Sequence, residues 1–420
     1  MKYSIQDDMY FTNGNNILQG LTENKKKLNI LFLIIVFIIN PFFCALFSFF
    51  LILTTNKTPN YLYYCLFVFL AGWLGIINMT KVPMSDFERY VANFYCIPEI
   101  SFIDLLKYGS DGSGKEPLYS LIIYFGYYFT FGQARIYFWL LTVIMYGFMF
   151  MSIFKFMKQI QANKTTLLCS VIVIAFFDQF FLFTAHLIRQ ILASTIVMYA
   201  IIRKNETGRN QWILLIASIL IHTSSMLIVI LSLVPFMYKR LKFYQFGILS
   251  LILMLATGLS ALFSNMLSNV GMLGYALNRL SEEGADDGVS VSIVIILSIF
   301  MPMILIDIIQ LIRIRNRERN SMYPILYLSM FLMLFVLSLS RIPLLQYRFF
   351  YYIYVFLPFI LPLLFFGYNR LLNTLYCSVI SLLFVFRFFF LHNNSAWIYY
   401  SMTELLLYPT PYYFLFPQVY

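Results

Sequence analysis

Long uncharged apolar runs recur from one end of this chain to the other, and they leave few folds open to it. Runs of about 18 or more apolar residues are the signature of membrane-spanning helices. A closed barrel is the other way to cross a bilayer, but it needs short segments that alternate in polarity. Here the runs are continuous: Ile30–Leu53 is broken only by Asn40, Pro41 and Ser48. Across the 420 residues, 61% are hydrophobic and 11% charged, against about 25% charged in a soluble domain. The expected fold is all-α, a polytopic transmembrane helical bundle of about 10–13 membrane segments, some of them short hairpins or re-entrant. The apolar stretch after Lys25, Lys26 and Lys27 is too long for a cleavable signal peptide and lacks a small-residue cleavage site.

Residues 1–27 form a polar segment, and residues 28–420 read as one transmembrane domain without an internal repeat. Apolar segments fall near 30–53, 61–79, 117–131, 134–156, 165–183, 186–202, 211–237, 243–264, 291–312, 322–340, 349–367 and 373–391. The net charge of +11 sits in short loops, so the positive-inside rule explains it better than nucleic acid does. Lys155/Lys158/Lys164, Arg203/Lys204/Arg209, Lys239/Arg240/Lys242 and Arg313/Arg315/Arg317/Arg319 are expected on the cytoplasmic side. The acidic loop near 265–290, with Glu282, Glu283, Asp286 and Asp287, is expected outside. These placements agree only if 165–202 and 211–237 are hairpins, with outward turns at Asp178–Arg189 and His222–Ser225. The N-terminal third stays open. Two plain spans leave residues 80–115 inside; a hairpin broken at Asn40-Pro41, or an outward N-terminus, puts them outside.

Under this topology the intramembrane polar residues gather at outward helix ends, where ionisable groups are costly unless paired or facing a polar cavity. His186, Arg189 and Gln190 have the i, i+3, i+4 spacing of one helix face; the structural alternative is a pair with Asp178. His222, Thr223, Ser224 and Ser225 interrupt an apolar hairpin, which a single hydrogen bond closing the turn would also explain. Arg341, Gln346 and Arg348 fall in a turn that parity places outside, where positive charge calls for another reason, such as an anionic ligand. Asp86, Arg89, Tyr90 and Asn93 share one face of a short helix, either an interfacial anchor or a site face. Glu116 before Pro117 is either a helix start or a functional carboxylate. Asp307 and Arg387 rank low, as side chains that snorkel.

Three histidines in no HxxxH or HxxE pattern argue against zinc, and no metal or other cofactor is expected. Of the five cysteines, Cys44, Cys65, Cys96, Cys169 and Cys377, none forms a CxxC pair. P-loop, dinucleotide and nucleophile-elbow motifs are absent. The aromatics lie mostly in spans, so no nucleic-acid platform forms.

Taken in order, several motifs resemble a known family. They are Ser85-Asp86-Phe87-Glu88-Arg89-Tyr90, Glu116-Pro117-Leu118-Tyr119, His186-Leu187-Ile188-Arg189-Gln190-Ile191-Leu192-Ala193, Ile221-His222-Thr223-Ser224-Ser225 and Tyr347-Arg348-Phe349-Phe350-Tyr351-Tyr352. Over roughly residues 60–370 their order and spacing are similar to those of the EpsG-type, Wzy-like polymerases of bacterial exopolysaccharide, capsule and O-antigen pathways. The polar N-terminal stretch departs from the family pattern. The resemblance favours residues 80–115 outside. It implies a multi-pass protein of the bacterial cytoplasmic membrane that acts on polyprenyl-diphosphate-linked oligosaccharide among membrane lipid. It further implies a metal-independent glycosyltransferase fold of the C type, with a chain-length regulator protein as a partner. A diphosphate leaving group gains charge as the glycosidic bond breaks, and arginines can hold that charge through bidentate hydrogen bonds. Arg89, Arg189, Arg341 and Arg348 are the candidates. Asp86 or Glu116, and next His186 or His222, are candidates for the base that the attacking hydroxyl needs. Tyr90, Tyr119, Gln190 and Tyr351 are candidates for sugar contacts. A lipid-linked oligosaccharide flippase would share the charged cavity but should show two similar halves. A membrane O-acyltransferase would hinge on one histidine, and a ligase would use the same donor.

Overall fold

A computed structural model describes residues 26–56, 58–110, 116–239, 245, 247–248, 251, 293–314, 320–339, 343–393 and 400–415. Among them no strand forms, and the chain is a polytopic helical bundle. The acidic loop at 265–290, Arg341, nearly all of the segment at 243–264 and residues 1–25 lie outside the described residues.

The first apolar segment is two helices, α1 (26–39) and α2 (Pro41–Thr54). Asn40 is extended (φ −159°) and its side chain caps α2 by accepting from Phe43 N, while Pro41 occupies a first-turn position that needs no donor. The chain therefore reverses. Cys44 Sγ donates to Leu33 O at 3.1 Å, and the Phe32 and Phe47 rings meet at 5.6 Å. Lys26 at the start of α1 lies over Tyr61, while Thr55 past the end of α2 accepts from Lys164, so both open ends of the hairpin point the same way.

Helices α3 (Asn60–Met79) and α7 (Ala134–Gln159) are long and apolar enough to cross a bilayer alone. They run antiparallel: Lys158 donates to Asn60 Oδ1 at one end, and Asn78 donates to Thr142 Oγ1 toward the other. Between them the chain forms two short helices, α4 (Asp86–Tyr95) and α5 (Phe102–Tyr108), and then α6 (Pro117–Phe129). Gly126 lets α6 close on α7, because a Cβ there would stand 2.5 Å from Tyr137 Cδ2.

The first expected hairpin is present with a bend inside it. Helices α8 (Lys164–Ala175) and α9 (Asp178–His186) form one apolar path bent by 48°. Leu187 (φ −125°, ψ 46°) then breaks the helix, and α10 (Ile188–Thr207) returns. Gly208 stops α10 in the left-handed conformation (φ 69°), which favours glycine. The second hairpin pairs α11 (Trp212–Ile221) with α12 (Met226–Leu233) through a 3₁₀ turn at Thr223–Ser225. Its arms of 10 and 8 residues are about 15 and 12 Å long, half of a hydrocarbon core of about 30 Å. Lys204 donates to Ser232 O and so fixes the open end of this hairpin beside the end of α10.

After residue 292 lie α13 (Ile293–Ile314), α14 (Tyr323–Ser338), α15 (Pro343–Tyr354), α16 (Leu357–Ile360) and α17 (Arg370–Asn393). Pro358 and Pro362 shorten what the sequence reads as one span at 349–367. The long helix α17 lies at the rim of the described bundle: only 11% of its apolar window is buried. Two further short helices, α18 (Met402–Leu407) and α19 (Thr410–Leu415), lie against α1–α3, where Trp73 Nε1 donates to Leu405 O and Asn40 to Leu406 O.

The described members of the basic clusters collect at one end, while Arg240, Lys242, Arg315, Arg317 and Arg319 lie outside the described residues. Lys155 pairs with Glu206 at 2.9 Å, Lys164 reaches Ile52 O and Leu53 O, and Arg313 donates to Leu364 O at 2.7 Å. The loop from Thr80 to Ser110 lies at the opposite end, as the hairpin at Asn40 requires. Asp307 does not snorkel. It is fully buried and accepts from Ser329 at 2.8 Å.

Candidate active site

Three residues distant in sequence meet in the interior, and each arrives by a different local device. Glu116 is the residue before α6, yet its carboxylate makes no cap hydrogen bond to that helix. It turns instead toward α10 and the α11–α12 turn, where Oε2 lies 2.6 Å from Arg189 Nη1 and Oε1 contacts His222 Nδ1. Arg189 stands in the first turn of α10 because the chain reverses at Leu187. His222 is the extended residue (φ −154°) that ends α11, and its ring reaches Glu116 rather than closing its own hairpin. The side chain of Glu116 is 9% exposed, that of Arg189 24% and that of His222 20%. The cluster is thus sheltered, its carboxylate buried and its guanidinium and imidazole partly exposed.

Aromatic side chains wall it. Arg189 Nε donates to the Tyr90 hydroxyl at 3.4 Å, and its guanidinium stacks 5.6 Å from the Tyr90 ring and 5.8 Å from the Tyr119 ring. Burial pushes the Tyr90 phenol above its ordinary value, partly offset by the Arg189 cation, so Tyr90 stays neutral and accepts the hydrogen bond. Ser224 and the Tyr352 hydroxyl are 2.7 Å apart on the far side of the turn, and Gln190 Nε2 donates to Arg348 O at 2.6 Å.

A buried Arg–carboxylate pair costs several kcal/mol of desolvation per ion and holds only when its remaining valences are met. Here one carboxylate serves a guanidinium and an imidazole together. With neutral His222 the cluster has no net charge; with imidazolium it carries +1. Glu116 holding Nδ1–H would leave Nε2 as a proton acceptor.

The EpsG family model matches residues 60–402, which takes in α3 through the start of α18 and all three members of the cluster. The chain belongs to the EpsG family. That is a family of Wzy-like polysaccharide polymerases. No curated protein and no solved structure matched the chain.

Other candidates in this EpsG-family chain lie apart from the cluster. Asp86 and Arg89 pair with each other at 3.3 Å, and the Arg89 side chain is 71% exposed. Tyr90 does not share their face: it turns inward with Phe87, Val91 and Phe94. His186 shares no helix with Arg189 and Gln190, because Leu187 interrupts the run; its ring packs near Phe87. Asp178 pairs not with His186 but with Arg387, whose Nε lies 2.9 Å from Oδ1. Arg348 is exposed at the end of the bundle away from the basic clusters, one turn above Tyr352 on α15. The Tyr351 ring packs on Phe183 and Tyr347. Among the described residues, no group of His, Cys, Asp and Glu could hold a metal ion.

Sequence reasoning missed Lys81, two residues past α3. It is 1% exposed, donates to Phe181 O at 3.4 Å and lies 3.9 Å from the Phe181 ring. Burial drives its amine well below the usual lysine range. The unfolded chain therefore takes up that proton more readily, so the residue opposes folding below the ordinary value of 10.5, and the penalty fades as pH rises toward it. Lys81→Met is expected to unfold at a higher temperature than wild type at pH 7 and to lose most of that advantage by pH 10. An equal gain at both pH values in a detergent melting series would exclude the buried charge as its cause.

Proposed function

We propose that this chain is a polysaccharide polymerase that joins polyprenyl-diphosphate-linked oligosaccharide repeat units at the outer face of the bacterial cytoplasmic membrane. It transfers the growing chain from its lipid carrier to a sugar hydroxyl of the next unit. The observation that carries this reading is the Glu116–Arg189–His222 cluster, a carboxyl, a guanidinium and an imidazole brought together inside an apolar bundle whose family makes polysaccharide.

The chemistry follows from what each group can do. Glu116 orients the His222 ring, and Nε2 takes the proton of the acceptor hydroxyl. The hydroxyl oxygen forms the new bond to the anomeric carbon as the bond from that carbon to the diphosphate breaks, and the electron pair leaves with the diphosphate. Arg189 and Arg348 meet the charge that develops there. One in-line displacement of this kind inverts the anomeric centre. The Tyr90 and Tyr119 rings, 6.0 Å apart and edge to face, hold the Arg189 guanidinium in place beside the reacting groups.

The test is a strain deleted for this gene in a host that makes surface polysaccharide. A polymerase predicts loss of long chains, with single lipid-linked repeat units accumulating at the outer face. Accumulation at the inner face would replace this reading with that of a flippase.

A further inference from the structure

Helix α15 touches the elements that carry the cluster at two points, once through a backbone carbonyl and once through a side chain. Arg348 and Tyr352 are four residues apart and so share a helix face. The Arg348 carbonyl accepts from Gln190, the neighbour of Arg189, at 2.6 Å. One turn on, the Tyr352 hydroxyl meets Ser224 at 2.7 Å, inside the 3₁₀ turn that follows His222. Tyr352 is 1% exposed, so its hydroxyl has little access to water as a substitute partner. The two contacts bind α15 to α10 and to the α11–α12 turn at once. His222 itself is extended backbone at a helix end, with no regular helix to hold its ring in register.

We propose that Tyr352 is a positioning residue: through its hydrogen bond to Ser224 it sets where the His222 ring stands relative to Arg348, and so fixes the distance from base to leaving group. The inference rests on the polymerase reading and adds residues to it. Neither hydroxyl touches the reacting atoms. Removing either one lets the turn shift while Glu116, Arg189 and His222 all remain. A misplacement of about 1 Å at a reacting centre can cost about 10²-fold in rate.

The experiment uses the full chain in lipid nanodiscs, with lipid-linked oligosaccharide extracted from the deletion strain as substrate. If the wild-type chain does not extend that extract, the polymerase reading fails before Tyr352 is tested. If it does, Tyr352→Phe and Ser224→Ala are each expected to lower kcat about 10–100-fold with KM changed less than about threefold. Adding Ser224→Ala to Tyr352→Phe should cost nothing further, since the bond between them is already gone; Tyr352→Phe alone also removes the contact of its hydroxyl with Ser194. In a His222→Gln background, Tyr352→Phe should cost nothing further. Wild-type turnover in both single variants, or a Tyr352→Phe loss that multiplies fully with that of His222→Gln, would overturn the inference. Ser224→Ala, at a partly exposed position in a turn, keeps the test open if the Tyr352 variant does not fold.

Discussion

Glu116→Gln is expected to lower polymer formation by about 10³–10⁴-fold per folded molecule. The range is that of losing a general base or the carboxylate that orients one. Glutamine keeps the length and shape of glutamate but presents one oxygen and one NH₂. If the oxygen stays on Arg189, the NH₂ faces His222 Nδ1 and forces that nitrogen to accept. The proton then sits on Nε2, which can no longer take one from a hydroxyl. Turning the amide the other way sets NH₂ against the guanidinium, two donors facing each other. The variant also leaves the Arg189 charge uncompensated, the more costly state for a buried pair. Glu116→Asp keeps the charge and shortens the reach, so it should retain more activity than Glu116→Gln. Polymer length on gels and turnover in nanodiscs both measure this. A Glu116→Gln variant with wild-type polymer would remove Glu116 from the mechanism.

Arg189→Lys is expected to cost about 10²–10³-fold, the range seen when one donor to a developing negative charge is lost. Charge is kept, so any loss reports geometry. The guanidinium reaches Glu116 with one nitrogen and the Tyr90 hydroxyl with another while lying near two aromatic rings. A lysine ammonium is a point charge that cannot span both partners. The parallel variant Arg348→Lys should lose less, since that side chain is exposed. Long-chain polymer that persists unchanged in both variants would rule out a diphosphate clamp built on these arginines.

Much of the fold could be read from the sequence because its causes are local. Asn40-Pro41 breaks an apolar run with a cap and a missing donor, and the polar His222–Ser225 stretch marks the reversal of a short hairpin. Positive charge at one end of the bundle follows from loop composition alone. The break at Leu187 leaves no such mark, since Leu187 and Ile188 carry neither the conformational freedom of glycine nor the ring of proline. A face drawn through His186, Arg189 and Gln190 therefore joined residues of two helices. The cluster was legible in its members and not in its partnerships. Glu116 meets residues 73 and 106 positions away, and spacing along the chain says nothing about which arginine a carboxylate will find. Lys81 and the partner of Asp178 were hidden for the same reason: a charge at a helix end looks like a solvated one until the neighbours that bury it are known.

The short arms of the α11–α12 hairpin have an electrical consequence. In the membrane placement proposed above, with the open end of the hairpin at one surface, arms of about 15 and 12 Å bring the His222 ring about halfway through the transmembrane voltage drop rather than beyond it. A unit charge moved from the ring to either aqueous phase then crosses about half of the field, near 1 kcal/mol for each 100 mV. A proton released there moves with the field or against it according to the side it leaves by, so the energised state of the cell becomes one of the terms that set its departure.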